Sequence, residues 1–121
     1  MNVAVIGASA KPERYSYQAV KLLREKGHAV YPVHPSLREI EGLPVFAALN
    51  RLPVVPDVVT LYIAAAHQEP MADDLLALAP RRVIFNPGTE NPALAERLRA
   101  AGISTLEACT LVLLKTGAFA L

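Results

Sequence analysis

Tryptophan is absent, aromatic residues make up 6% of the chain, and Cys109 is its one cysteine. A lone cysteine forms no internal disulfide, and no Cys/His cluster stands at zinc-ligand spacing, so neither a disulfide framework nor a structural metal is expected. Charge of one sign is also missing. The 12 basic and 11 acidic residues leave a net charge of +1, and the basic ones are scattered. Counterion-release binding needs a concentrated positive surface, and Tyr15, Tyr17 and Tyr31 form no stacking platform among lysines and arginines, so nucleic acid is not the expected partner. No apolar run approaches the ~20 residues of a membrane-spanning helix. The segment Met1 to Gly7 lacks the basic start and small-residue cleavage site of a signal peptide and reads as a strand, which predicts a cytoplasmic protein.

What is present is apolar material, 53% of 121 residues, enough for the core of one domain. The pattern switches between short apolar runs and longer helical stretches, the mark of strands and helices alternating around a parallel sheet. Val3 to Ile6 is a continuous apolar run and predicts a central strand covered on both faces. Ser16 to Gly27 predicts a helix with Ala19, Val20, Leu22 and Leu23 on its apolar face and Gly27 as its cap. Ala29 to Val33 is the second strand, and Pro32 within it predicts a side without regular pairing. Residues 36–52 are irregular, with a turn at Glu41 to Val45 and a short helix at 46–52. Val58 to Ile63 is the third strand, Gln68 to Leu78 a helix, and Arg82 to Phe85 the fourth strand. Asn91 caps a helix that has Pro92 at its first position and runs to Gly102. Ile103 to Leu106 is the fifth strand, and the tail from Cys109 to Lys115 holds a last turn or two of helix.

Right-handed crossovers then predict a three-layer, doubly wound, Rossmann-like α/β domain with a five-stranded parallel sheet in the order 3-2-1-4-5. Ligands of such sheets bind beyond the carboxyl ends of the strands where the winding reverses, here between strands one and four. The loops expected to meet there are Gly7 to Arg14 and Asn86 to Glu90.

The first loop departs from the dinucleotide fingerprint G-x-G-x-x-G, because Ser9 and Pro12 stand where its second and third glycines would be. Gly7 still permits a tight turn, the Ser9 hydroxyl and nearby backbone N–H groups can bind phosphate oxygens, and Lys11 or Arg14 can add charge. A strand exit with a capped turn needs no ligand and explains the same residues. At the end of the second strand, where an NAD site places an acid for the ribose, the chain reads Val33-His34-Pro35-Ser36, with no acid before Glu39. His34, Ser36 and Arg38 suit a phosphorylated ribose instead, as in NADP or coenzyme A. His34 is equally readable as a solvated loop histidine.

The strand-Gly7-Ala8-Ser9 opening with Pro12 and Tyr15-Ser16, the segment Tyr31-Pro32-Val33-His34-Pro35, the Gly42 turn and the run Phe85 to Asn91 together carry a resemblance. Over nearly its whole length the chain resembles the small stand-alone CoA-binding domain proteins, kin of the N-terminal domain of the succinyl-CoA synthetase α subunit. The resemblance implies that Gly7, Ala8 and Ser9 face the CoA pyrophosphate with Arg14 close by. It implies His34 and Pro35 near the adenosine and its 3′-phosphate, Tyr62, Ile63 and Ala64 on the adenine side, and Asn86, Pro87 and Gly88 along the pantetheine arm. His34 departs from the asparagine usual in the family, and Arg38 stands in place of a clear family lysine.

The catalytic histidine of succinyl-CoA synthetase belongs to a domain without counterpart here, so catalysis by that route is not expected. His67 has no paired carboxylate at evident spacing beyond Glu69 and reads as a helix start or surface residue. Cys109 near a helix start admits a thiol-exchange role, but a buried cysteine most often acts as a small hydrophobe. Glu90 and Glu107 pair only if the fold brings them together. The leading expectation is a domain that binds coenzyme A or an acyl-CoA without catalysis, with no metal, no nucleic-acid or membrane partner, and scope for a homodimer. An NADP-linked oxidoreductase or its isolated cofactor domain is the alternative from the enzyme class, and an interaction module with an empty site is the third.

Overall fold

In a computed structural model describing residues 1–121, the chain begins with strand β1 (Asn2–Ile6), helix α1 (Tyr15–Glu25) and strand β2 (Ala29–Val33). A two-residue antiparallel ladder of β3 (Glu39–Ile40) with β4 (Leu43–Pro44) follows, then a 3-10 turn at Leu49–Arg51. The rest alternates regularly: β5 (Val58–Leu61), a 3-10 turn at Ala65–His67, α2 (Glu69–Leu78), β6 (Arg82–Phe85), α3 (Pro92–Ala100), β7 (Ser104–Glu107) and α4 (Thr110–Thr116).

Strand residues alternate between two cores, as the two-residue period of a strand requires. Ala4, Ile6, Val59, Leu61, Val83 and Phe85 pack with Leu75 of α2 and with Leu94 and Leu98 of α3. Val3, Val5, Val58 and Ile84 pack on the other face with Val20 and Leu23 of α1 and Leu114 of α4. Each fully buried Val, Leu, Ile or Phe contributes about 1.5–3 kcal/mol, so the paired cores explain why these strands are apolar on both faces. Local signals set the helix ends. The Asn91 side chain accepts the Leu94 N–H at 3.1 Å, with Pro92 at the first helical position.

The main sheet is parallel and doubly wound, a five-stranded Rossmann-like sheet in the order β2-β1-β5-β6-β7. It follows the 3-2-1-4-5 pattern with its third place reduced to one residue. Outside β2 the chain makes a single parallel bridge, Val33 to Phe46, where a full third strand would lie. The segment that reads as the third strand, β5, therefore occupies the fourth place, beside β1. Pro32 supplies the reason. Its carbonyl faces outward and accepts the Phe46 N–H at 2.9 Å, while the next outward donor, the His34 N–H, reaches the Phe46 carbonyl at 3.0 Å. Lacking an N–H on that side, Pro32 weakens any longer ladder there, so β2 is the last full strand at this edge. The winding reverses between β1 and β5, and the crevice opens there.

Candidate functional site

A cleft of about 900 Å³ lies at the carboxyl ends of β1, β2 and β5. Gly7 fixes the close approach of its walls. With φ at +80°, it sits where a Cβ would fall 2.6 Å from Ile63 Cγ2 and 3.1 Å from the Tyr62 carbonyl carbon and oxygen. Only glycine lets the β1 exit lie against the β5 exit in this way.

The turn after Gly7 sorts its donors. The N–H groups of Gly7 and Ala8 both donate to the Val33 carbonyl at 3.2 Å, so the protein itself uses them. Ser9 Oγ accepts the Lys11 N–H at 3.1 Å. The N–H groups of Ser9 and Ala10, and those of Tyr15 and Ser16 in the first turn of α1, take no protein acceptor, and Arg14 at the N-cap supplies no capping bond. All of these residues line the cleft, and so do Lys11 and Arg14, neither of which makes an ion pair. Free donors at the start of an 11-residue helix, flanked by two unpaired cations, favour an anion.

His34 lines the next wall with Pro35, Leu37, Ala48 and Leu49. Its Nδ1 accepts the N–H groups of Ser36 at 3.1 Å and Leu37 at 3.0 Å, which leaves Nε2 as the donor of the neutral ring. An asparagine oxygen closes the same kind of turn, so histidine serves here as its substitute. The far wall consists of Tyr62, Ile63, Pro87 and Thr89 with His67, Pro70, Met71 and Asp74 around the start of α2. Burial pushes the Tyr62 phenol up to about 12. Its hydroxyl is buried without a partner beside Thr60 and Thr110, which hydrogen-bond each other at 2.8 Å.

The cleft thus gathers Gly7, Ala8, Ser9, Arg14, His34, Pro35, Tyr62, Ile63 and Pro87. Arg38, Ala64, Asn86 and Gly88 do not line it. Arg38 and Ala64 are exposed elsewhere, and the Gly88 N–H donates to Glu90 Oε1 at 2.9 Å. Asn86, 2% exposed, is a bracket: its Nδ2 donates to Thr60 Oγ1 at 2.6 Å and to the Leu61 carbonyl at 2.8 Å, and its Oδ1 accepts the Thr110 N–H at 2.8 Å. Gln68, fully buried, is a second bracket, donating to the Ile63 and Thr89 carbonyls at 2.9 and 2.7 Å. The α2 residues of the wall give no signal in the sequence, because helical period locates a helix but not the side of it that meets a cleft. Cys109 is half-buried at the N-cap of α4, outside the cleft. No group of three or more His, Cys, Asp or Glu stands ready for a metal, and no helix is long and apolar enough to cross a membrane.

A family model described as a CoA binding domain matches residues 1–115. A crystal structure of an uncharacterized protein is 40% identical with a TM-score of 0.89, covering 98% of this chain and 97% of that one. The uncharacterized protein YneT of Bacillus subtilis is 26% identical over 74 residues, 61% of this chain and 55% of that protein. The alpha subunit of the ADP-forming acetate–CoA ligase II of Pyrococcus furiosus is 32% identical over 62 residues, 50% of this chain and 14% of the subunit. The match spans about half the length of the first of these curated relatives and a small part of the second.

Proposed function

The chain belongs to the family of CoA-binding domains, and on that premise we propose that it binds coenzyme A or an acyl-CoA in the cleft between β1 and β5 as a carrier or sensor without catalysis. The observation that carries this reading is the β1–α1 turn. It offers the free N–H groups of Ser9, Ala10, Tyr15 and Ser16 together with unpaired Lys11 and Arg14. The pyrophosphate would sit on these groups, one step beyond Gly7 and Ala8, whose N–H groups are already spent on Val33. His34 Nε2 and Pro35 would border the 3′-phosphorylated ribose, Tyr62 and Ile63 the adenine side, and Pro87 the pantetheine arm. His67 lines the cleft, its ring has no hydrogen-bond partner within the protein, and this reading assigns it no role as a base.

Thermal unfolding in parallel with coenzyme A, dephospho-coenzyme A, NADP and NAD tests the reading, because a ligand of the native state raises the midpoint by mass action. Coenzyme A is expected to give the largest shift and dephospho-coenzyme A a smaller one. A shift with NADP and none with coenzyme A would replace this reading with the oxidoreductase cofactor domain. Equal shifts with and without the 3′-phosphate would remove His34 from that contact.

A further inference from the structure

Asp73 and Asp74 are neighbours on α2 with different surroundings. Asp73 has a side chain 95% exposed and meets Arg97 Nη2 at 3.3 Å on the outside of the domain. Asp74 is half-buried, lines the cleft, and has neither a hydrogen-bond donor nor a cation as partner within the protein. Met71 and Asp74, three residues apart on α2, share one face of that helix along the cleft wall, which His67 of the preceding 3-10 turn and Ile63 also line.

A half-buried carboxylate on a largely apolar wall loses solvation that a ligand donor restores. It also repels phosphate, which sends the anionic groups of a ligand to the opposite rim at Lys11 and Arg14. What suits the Asp74 end is a neutral, flat, apolar group that carries an N–H donor. Ile63 and Met71 offer the apolar contact, and a thioether packs favourably on an aromatic ring.

We propose that Asp74 is a specificity-determining residue that accepts a hydrogen bond from the exocyclic amino group of an adenine ring held against Ile63 and Met71. This rests on the coenzyme A reading above and adds to it the residue that selects the base. Lys11 and Arg14 hold the phosphates, Asp74 reads the amino group, and the ligand is oriented by charge at both ends of the cleft.

Calorimetric titration of the full chain with coenzyme A and with its analogue carrying hypoxanthine in place of adenine tests this. The analogue puts a carbonyl oxygen where the amino group was, facing a carboxylate, and is expected to bind wild-type protein about tenfold or more weakly than coenzyme A. Asp74→Asn can donate to that oxygen and accept from the amino group, so the ratio should shrink to within about threefold. Because Asp74 makes no internal bond, Asp74→Asn should melt as the wild type does, which separates selectivity from stability. Equal binding of the two ligands by wild-type protein, or an unchanged ratio in Asp74→Asn, overturns this assignment alone. Binding of neither ligand by the wild-type protein overturns it together with the coenzyme A reading.

Discussion

The turns that leave β1 and β6 use the same vocabulary of glycine, proline and small polar residues, yet the fold treats them in opposite ways. After β1, the donors of Ser9 and Ala10 and the cations Lys11 and Arg14 stay without protein partners and face the cleft. After β6, Asn86 and Thr89 turn inward and are consumed. Asn86 ties β5 to the start of α4, and Thr89 Oγ1 donates to the Asn86 carbonyl at 2.8 Å. Composition marks a turn as special, but only the partner of each polar group tells a binding turn from a bracing one.

The sharpest way to break this contrast is at Asn86. Replacing it with alanine strands the Thr110 N–H and frees Thr60 and the Leu61 carbonyl in a buried setting, and urea denaturation should show a loss of about 4 kcal/mol. The surviving folded protein should bind coenzyme A as before. Weakened binding at unchanged stability would make Asn86 itself, and not only its neighbours Pro87 and Thr89, part of the site.

Next come the two glycines. Gly7→Ala sets a Cβ against Ile63 and Tyr62 at positive φ, and should cost about 3 kcal/mol by strain and overpacking together. Gly88 has φ +90° and open space within 4 Å of where a Cβ would stand, so Gly88→Ala should cost only about 1 kcal/mol of backbone strain. Equal costs in denaturant unfolding would mean that the β1–β5 approach is not tight.

An effect smaller than that of Gly7→Ala belongs to Tyr62, which lies between the cleft and the buried threonines. Its folded pKa stands above the ordinary 10, so the unfolded chain loses this proton first as pH rises. The stability contribution is whole below about pH 10 and declines by about 2 kcal/mol towards pH 12. Tyr62→Phe should flatten that part of the stability profile, and an identical decline in the variant would mean that Tyr62 is not the residue responsible.

Much of the fold was legible along the chain. Apolar runs covered on both faces marked β1, β5 and β6, and Asn91 with Pro92 marked the start of α3, because these are local physical rules. The winding pattern was legible too, but not which segment fills which place in it. Pro32 was readable as a break in pairing, and its consequence is that Phe46 adds only one bridge outside β2 while β5 lies against β1. The irregular stretch between β2 and β5 has no period from which its path across the sheet could be read. Within the site, Gly7 was recognisable as the turn, but the use of its N–H by Val33 depends on a strand distant in sequence.

The sequence by itself determined an α/β domain with a parallel sheet, a glycine turn after the first strand and no acid at the end of the second. Those features follow from residue periodicity and from backbone freedom at single positions, which act within a few residues. Tertiary structure decided that the crevice opens between β1 and β5, that Asn86 braces where its loop reads as a binding turn, and that Asp74 joins the cleft wall. Each of these depends on which distant groups satisfy a backbone donor or a buried amide, and only the packed chain brings such groups within hydrogen-bonding distance.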